Sequence, residues 1–111
     1  MTVRRLTADF VVSPQISVQD VPAIRDAGFK TIICNRPDGE EPGQPSAQSI
    51  GEAAAAAGLS FIAIPVLSGQ VPSSDAIIEM QEAINTLPGP IFAYCRSGNR
   101  SAQLWSIATQ G

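Results

Sequence analysis

The sequence predicts an α/β domain with a central, mostly parallel, four-stranded sheet flanked by helices. Three observations lead there. Short apolar runs rich in β-branched or aromatic residues recur along the chain, helix-patterned stretches separate them, and glycine and proline punctuate the junctions. Strands that alternate with helices build a parallel sheet through right-handed crossovers. The 111 residues are enough for one domain with one core, spanning 1–111.

The elements follow in order. "DFVVS" (Asp9 to Ser13) is the first strand. "SVQDVPAIRDAG" reads as a helix that stops at Gly28, and Pro22 places its start near Asp20. "KTIIC" (Lys30 to Cys34) is a β-branched run suited to burial on both faces. The polar stretch "NRPDGEEPGQPS" (Asn35 to Ser46) is too long for a plain connector, which points to a functional loop. Ser46 caps the helix "SAQSIGEAAAAAG". "SFIAIPV" (Ser60 to Val66) is a third strand, followed by the loop "LSGQVPSS". "SDAIIEMQEAINTL" (Ser74 to Leu87) is an amphipathic helix with Ile77, Ile78, Met80, Ile84 and Leu87 on or near one face. "PGP" ends it, "IFAY" (Ile91 to Tyr94) is the fourth strand, and "RSAQLWSIAT" (Arg100 to Thr109) is the last helix. In such a sheet, sites form at the carboxyl ends of the strands. The loops at Asn35 to Ser46, Leu67 to Ser73 and Cys95 to Arg100 therefore converge.

Composition narrows the chemistry. Net charge is −3 with no basic run, which argues against nucleic acid or an anionic membrane as partner. Histidine is absent, which removes most zinc chemistry and every Cys–His or Ser–His pair. No metal or organic cofactor is implied. No apolar stretch is long enough to span a bilayer, and "MTVRRLTADF" lacks the apolar core of a secretory signal, so a cytoplasmic protein is expected. Its two cysteines are then expected as thiols.

The stretch "AYCRSGNRSA" (Ala93 to Ala102) carries the strongest chemical signal. A strand delivers Cys95 to the carboxyl edge of the sheet, and a helix opens just beyond it. Unpaired N–H groups and the positive end of that helix face back toward the sulfur. Gly98 lets the backbone curl, and Arg96 and Arg100 add positive charge. Such a loop is an anion nest that favours thiolate, the nucleophilic form. The alternative is a buried, inert thiol. On this reading Cys95 is the nucleophile and Arg100 its catalytic partner. Arg96 binds the anion, while Ser97, Asn99 and Ser101 shape the loop and hydrogen-bond the sulfur.

The motif "CRSGNRS" resembles the Cys-x4-Arg loop of rhodanese sulfurtransferases. Tyrosine and dual-specificity phosphatases use a loop one residue longer, Cys-x5-Arg, a register that falls on Ser101. Elsewhere "SPQIS", "AGFKTIICNRPDGEE" and "FIAIPVLSGQ" resemble the phosphatase-like domain of the beta-lactamase-hydrolase-like family, over almost the whole chain. The resemblance implies a phosphatase-like fold with the cysteine strand at its centre, and either sulfurtransferase or phosphatase activity. It also implies partnership with a persulfide dioxygenase or sulfide:quinone reductase module. In dual-specificity phosphatases a loop aspartate protonates the leaving group. The corresponding loop here, "LSGQVPSS", has no carboxylate. Asp75 reads as a charge suited to a helix N-terminus, and Asp38 is the better substitute.

Persulfide transfer needs no such acid. The shorter loop and the missing acid therefore favour a sulfurtransferase that carries sulfane sulfur on Cys95 and acts on a small sulfur anion or persulfide. A cysteine-dependent phosphatase and a sulfur relay without free turnover are the alternatives. Cys34 ends its strand as Cys95 does. It is either core filler or, if the strands pair in register, a resolving thiol. Arg36 is either a plain surface arginine or one that binds the substrate anion or pairs with loop carboxylates. Asn35, Asp38 and Glu40 can order their own loop. Trp105 belongs to the core.

Overall fold

Residues 2–110 are described by the structure, a computed structural model. The elements are β1 (Arg4–Thr7), β2 (Phe10–Ser13), a 3-10 turn (Val18–Asp20), α1 (Val21–Asp26), β3 (Thr31–Cys34), α2 (Ala47–Ala56), β4 (Ser60–Ala63), α3 (Ser74–Thr86), β5 (Ile91–Tyr94) and α4 (Asn99–Thr109). They form a five-stranded sheet in the order β1-β2-β5-β3-β4. The four strands expected from the sequence are all present and mutually parallel. The fifth, β1, is a correction to the expected count. It pairs antiparallel with β2, Arg4 opposite Val12 and Arg5 opposite Val11. Its sequence, RRLT, is almost wholly exposed. An edge strand buries little and carries charge, so it has no apolar signature to read.

Strands β2, β3 and β5 are buried at every position. Alternation sorts their side chains into two cores. Phe10, Val12, Ile33, Ile91 and Ala93 face α3 and α4, where Met80, Ala83 and Leu104 complete the packing. Val11, Ile32, Cys34, Phe92 and Tyr94 face α1 and α2, against Ile24, Ile50 and Ala54. Helices on both faces explain why these strands read as continuous apolar runs. Trp105 packs on Phe10 with ring centroids 6.0 Å apart, in the core as expected.

The helix ends follow their capping residues. Ser46 Oγ accepts the Ser49 N–H at 3.1 Å, and Ser73 Oγ accepts the Ala76 N–H at 3.1 Å. Strand β4 ends at Ala63, short of the expected Val66. Pro65 has no N–H to donate to a ladder. Ile64 and Val66 still donate backbone hydrogen bonds to Cys34 and Asn35 at 2.8 and 3.0 Å, so the chain runs alongside β3 toward the carboxyl edge. No helix among the described residues is long and apolar enough to cross a membrane.

Ile33 lies at the middle of the sheet with no exposed surface. Ile33→Ala removes its packing against α3 and α4, and is expected to cost about 2–5 kcal/mol. The urea midpoint is expected to fall with the slope unchanged.

Candidate active site

The carboxyl ends of β2, β5 and β3 converge on the loop after β5. Cys95 sits one residue past that strand, and its N–H donates to Ser13 O at 3.3 Å. The next backbone tie, Gln15 N–H to Arg96 O at 3.2 Å, fastens the loop to the chain leaving β2. The chain then turns back on the sulfur. Gly98 has φ +96° and caps α4, and its N–H donates to Cys95 Sγ at 3.1 Å. A side chain is disfavoured here because the left-handed region strains any L-residue; a Cβ would meet the Ser13 backbone only in ordinary contact, at 3.4 Å.

Ser97 Oγ accepts the Asn99 N–H at 3.2 Å and tightens the turn. Asn99 Oδ1 accepts from Arg4 Nη2 at 3.1 Å, so the unforeseen edge strand holds the outer side of the loop. The hydrogen bond to sulfur comes from the Gly98 amide, not from the serine or asparagine side chains that the sequence suggested. Ser101 is fully buried, and its hydroxyl has no hydrogen-bond partner among the described residues. Cys95 is also fully buried, at the floor of the loop. Beside the loop opens a cleft of about 590 Å³ lined by Ser68, Gly69, Arg96, Ser97, Asn99, Arg100 and Gln103; the covered Cys95 does not line it.

Arg100 lies in the first turn of α4 and does not stand free. Its Nη1 and Nη2 donate to the two Glu40 carboxylate oxygens, each at 2.8 Å, and Nη1 also donates to Val66 O at 2.8 Å. Glu40 accepts from a second arginine as well, Arg36 Nε, at 2.8 Å. The remaining Arg36 nitrogens are taken by Gln15 Oε1 at 3.0 Å and Glu41 Oε1 at 2.9 Å. The Arg36 side chain is 1% exposed. Arg36 therefore orders the loop through its carboxylates and does not reach the cleft. Asp38 does not reach it either, since its carboxylate accepts the Ala47 N–H at 2.8 Å and caps α2. Glu40 was legible as a loop-ordering residue, but its hold on Arg100 across 60 positions of sequence was not.

The Arg100 fork, opposed by partial burial and reinforced by Arg36, pulls the Glu40 carboxyl down to about 2. Arg36 likewise holds Glu41 below the usual carboxylate range. Cys34 occupies a different environment. It pairs in register with Tyr94, not Cys95, so its side chain lies on the α1–α2 face with the Tyr94 ring. Its thiol donates to Arg36 O at 3.4 Å, and burial pushes its pKa up. The in-register pairing that a resolving thiol requires is absent. The one-residue offset turns Cys34 to the opposite face of the sheet from Cys95.

Residues 2–111 match the family model described as beta-lactamase hydrolase-like protein, phosphatase-like domain. The chain belongs to this family. It is 37% identical over 103 residues to a beta-lactamase hydrolase-like protein of Agrobacterium fabrum, covering 93% of this chain and 24% of that protein. A relative of the same description from Xylella fastidiosa is 38% identical over 81 residues, 73% of this chain and 19% of that protein. The domain thus spans about a quarter or less of these relatives. Among solved structures, a "putative phosphatase" from Neisseria meningitidis superposes with TM-score 0.82 at 35% identity, over 92% of this chain and 72% of that one. A Shewanella putrefaciens protein of like description has TM-score 0.80 at 17% identity, over 94% and 64% of the two chains, and shows the shared fold.

These matches correct the leading expectation. The family and the Neisseria neighbour are phosphatase-like, and nothing in them supports sulfurtransferase or persulfide chemistry. The Cys-x4-Arg spacing and the missing loop acid do not decide for sulfur. A missing acid restricts which leaving groups can depart, but it does not remove phosphoryl chemistry.

Two outcomes test this geometry. Glu40 titrates near 2 in the folded chain against an ordinary 4.5. A depressed pKa adds stability above the unfolded value and loses it as pH falls through the folded one. Wild type is therefore expected to melt above Glu40→Gln at neutral pH. The gap is expected to close between about 4.5 and about 2, as read by thermal melts across pH. Gly98→Ala is expected to cost about 1–2 kcal/mol and to displace the amide from the sulfur, as read by denaturation and by the amide resonance of residue 98 in NMR.

Proposed function

We propose that this domain is a cysteine-dependent phosphatase acting on phosphate monoester or anhydride dianions. The observation that carries the reading is the Gly98 N–H donated to Cys95 Sγ at 3.1 Å, at the N-terminus of α4, with Arg100 in that helix's first turn. A helix N-terminus with a left-handed glycine cap presents amides to an anion. The same groups suit a sulfur anion before attack and phosphoryl oxygens during it. Arg100 offers a planar fork of the kind that binds phosphate oxygens in pairs.

The chemistry runs in two displacements. The Cys95 thiolate attacks phosphorus, the S–P bond forms, and the P–O bond to the leaving group breaks with its electron pair on oxygen. Water then attacks the phosphocysteine, the S–P bond breaks, and thiolate and dihydrogen phosphate result. Entry of the phosphoryl group requires Arg96 to Gly98 to lift from the sulfur, because Cys95 is fully covered. It also requires Arg100 to share its fork with Glu40 or leave it.

Cys95→Ser is expected to abolish hydrolysis of an aryl phosphate, and acid-quenched wild type is expected to carry one phosphoryl group on the Cys95 peptide by mass spectrometry. Arg100→Ala is expected to lose about 10²–10³ in kcat, with little rescue by lysine. Full turnover in Cys95→Ser would reject the reading.

A further inference from the structure

Among the described residues, the cleft beside the Cys95 loop has no proton donor suited to a leaving group. None of its lining residues, Ser68, Gly69, Arg96, Ser97, Asn99, Arg100 and Gln103, is an aspartate or glutamate. The nearby carboxylates are committed elsewhere. Glu40 lies in the fork of Arg100 and against Arg36. Glu41 is paired with Arg36, and Asp38 caps α2. Asp9 lines a separate cleft with Trp105, and Asp75 sits in the first turn of α3. Glu40 also titrates far too low to carry a proton at working pH. The Tyr94 hydroxyl is buried on the other face of the sheet, beside Cys34. A positioned general acid typically contributes about 10²–10⁴ in rate. A site without one favours substrates whose leaving group departs unprotonated.

Arg96 is the second observation. It is exposed on the cleft, and among the described residues it makes no ion pair, although Glu41 lies within its field. Its neighbours on the wall, Asn99 and Gln103, are polar amides, and no aromatic side chain lines the cleft to clasp a ring. This wall suits a leaving group that is itself charged.

We infer that the preferred substrates are phosphoric anhydrides, with the scissile phosphoryl group over Cys95 and the departing phosphate on Arg96. The inference rests on the phosphatase reading and adds the substrate class to it. In the first displacement the S–P bond forms and the bridging P–O bond breaks. The electron pair stays on the bridging oxygen, which leaves as a phosphate oxyanion. No proton is transferred, so no acid is needed. Arg96 stabilises the charge that develops there and Arg100 the transferring group.

Steady-state kinetics of the full chain with three probes test this: inorganic pyrophosphate, 2,4-dinitrophenyl phosphate and phenyl phosphate. The two probes with good leaving groups are expected to exceed phenyl phosphate in kcat/KM by about 10² or more. Arg96→Ala is expected to lower kcat/KM for pyrophosphate about tenfold or more. The loss for 2,4-dinitrophenyl phosphate is expected to be clearly smaller than that for pyrophosphate, because its leaving group carries no second charge. Phosphocysteine formed from 2,4-dinitrophenyl phosphate gives a readout that does not depend on the anhydride. Cys95-dependent turnover that is equal for phenyl and dinitrophenyl phosphate, or that falls equally in Arg96→Ala for both good substrates, would overturn the inference and leave the phosphatase reading standing. No Cys95-dependent turnover of any probe would overturn both.

Discussion

The Glu40 carboxylate lies between two guanidinium groups, and the carboxyl edge of the sheet is organised around it. Arg36 approaches from the end of β3 and Arg100 from the start of α4. Arg36 is buried almost completely, and a buried charge without partners costs several kcal/mol. Glu40, Glu41 and Gln15 satisfy all of its nitrogens. That requirement draws the long polar loop 35–46 down onto the sheet edge, where a loop with three prolines and two glycines could otherwise sample many conformations. The same carboxylate then orients the Arg100 fork, whose Nη1 also meets the Val66 carbonyl. Three segments distant in sequence, the loop after β3, the chain after β4 and the first turn of α4, are thereby held together.

Positive charge in the loop has two different fates. Arg36 and Arg100 are spent on internal carboxylates and a carbonyl, whereas Arg96 faces the cleft without an ion pair among the described residues. A catalytic pocket commonly divides its charges between holding geometry and meeting a ligand. The division matters because the domain has no histidine. The group that meets the sulfur is instead a backbone one, the Gly98 amide at the N-terminus of α4. That constraint explains the glycine at φ +96° packed against the Ser13 backbone. It also explains the closed loop, in which the curl that aims an amide at Sγ covers the sulfur.

Periodicity and punctuation in the sequence were sufficient to reveal four of the five strands, the four helices and the cysteine loop. Buried strands are apolar, helices tend to start and stop at capping residues, and a loop that curls back onto a strand-end sulfur uses a glycine at positive φ. These are local demands, and local sequence carries them. The edge strand β1 was illegible because RRLT satisfies its hydrogen bonds on one side only and buries almost nothing. Yet Arg4 from that strand holds Asn99 in the active loop.

By itself the sequence determined the α/β class, the placement of Cys95 at a strand end before a helix, and the lack of a carboxylate in the loop after β4. Tertiary structure alone decided three things. The register of β3 against β5 set Cys34 opposite Tyr94 and turned it away from Cys95. The burial of Arg36 changed a candidate ligand contact into a structural one. The Glu40–Arg100 fork joined residues 60 positions apart. Register, burial and long-range ion pairing depend on how elements are brought together in space, and a strand or loop motif of given composition is compatible with either outcome until its neighbours are in place.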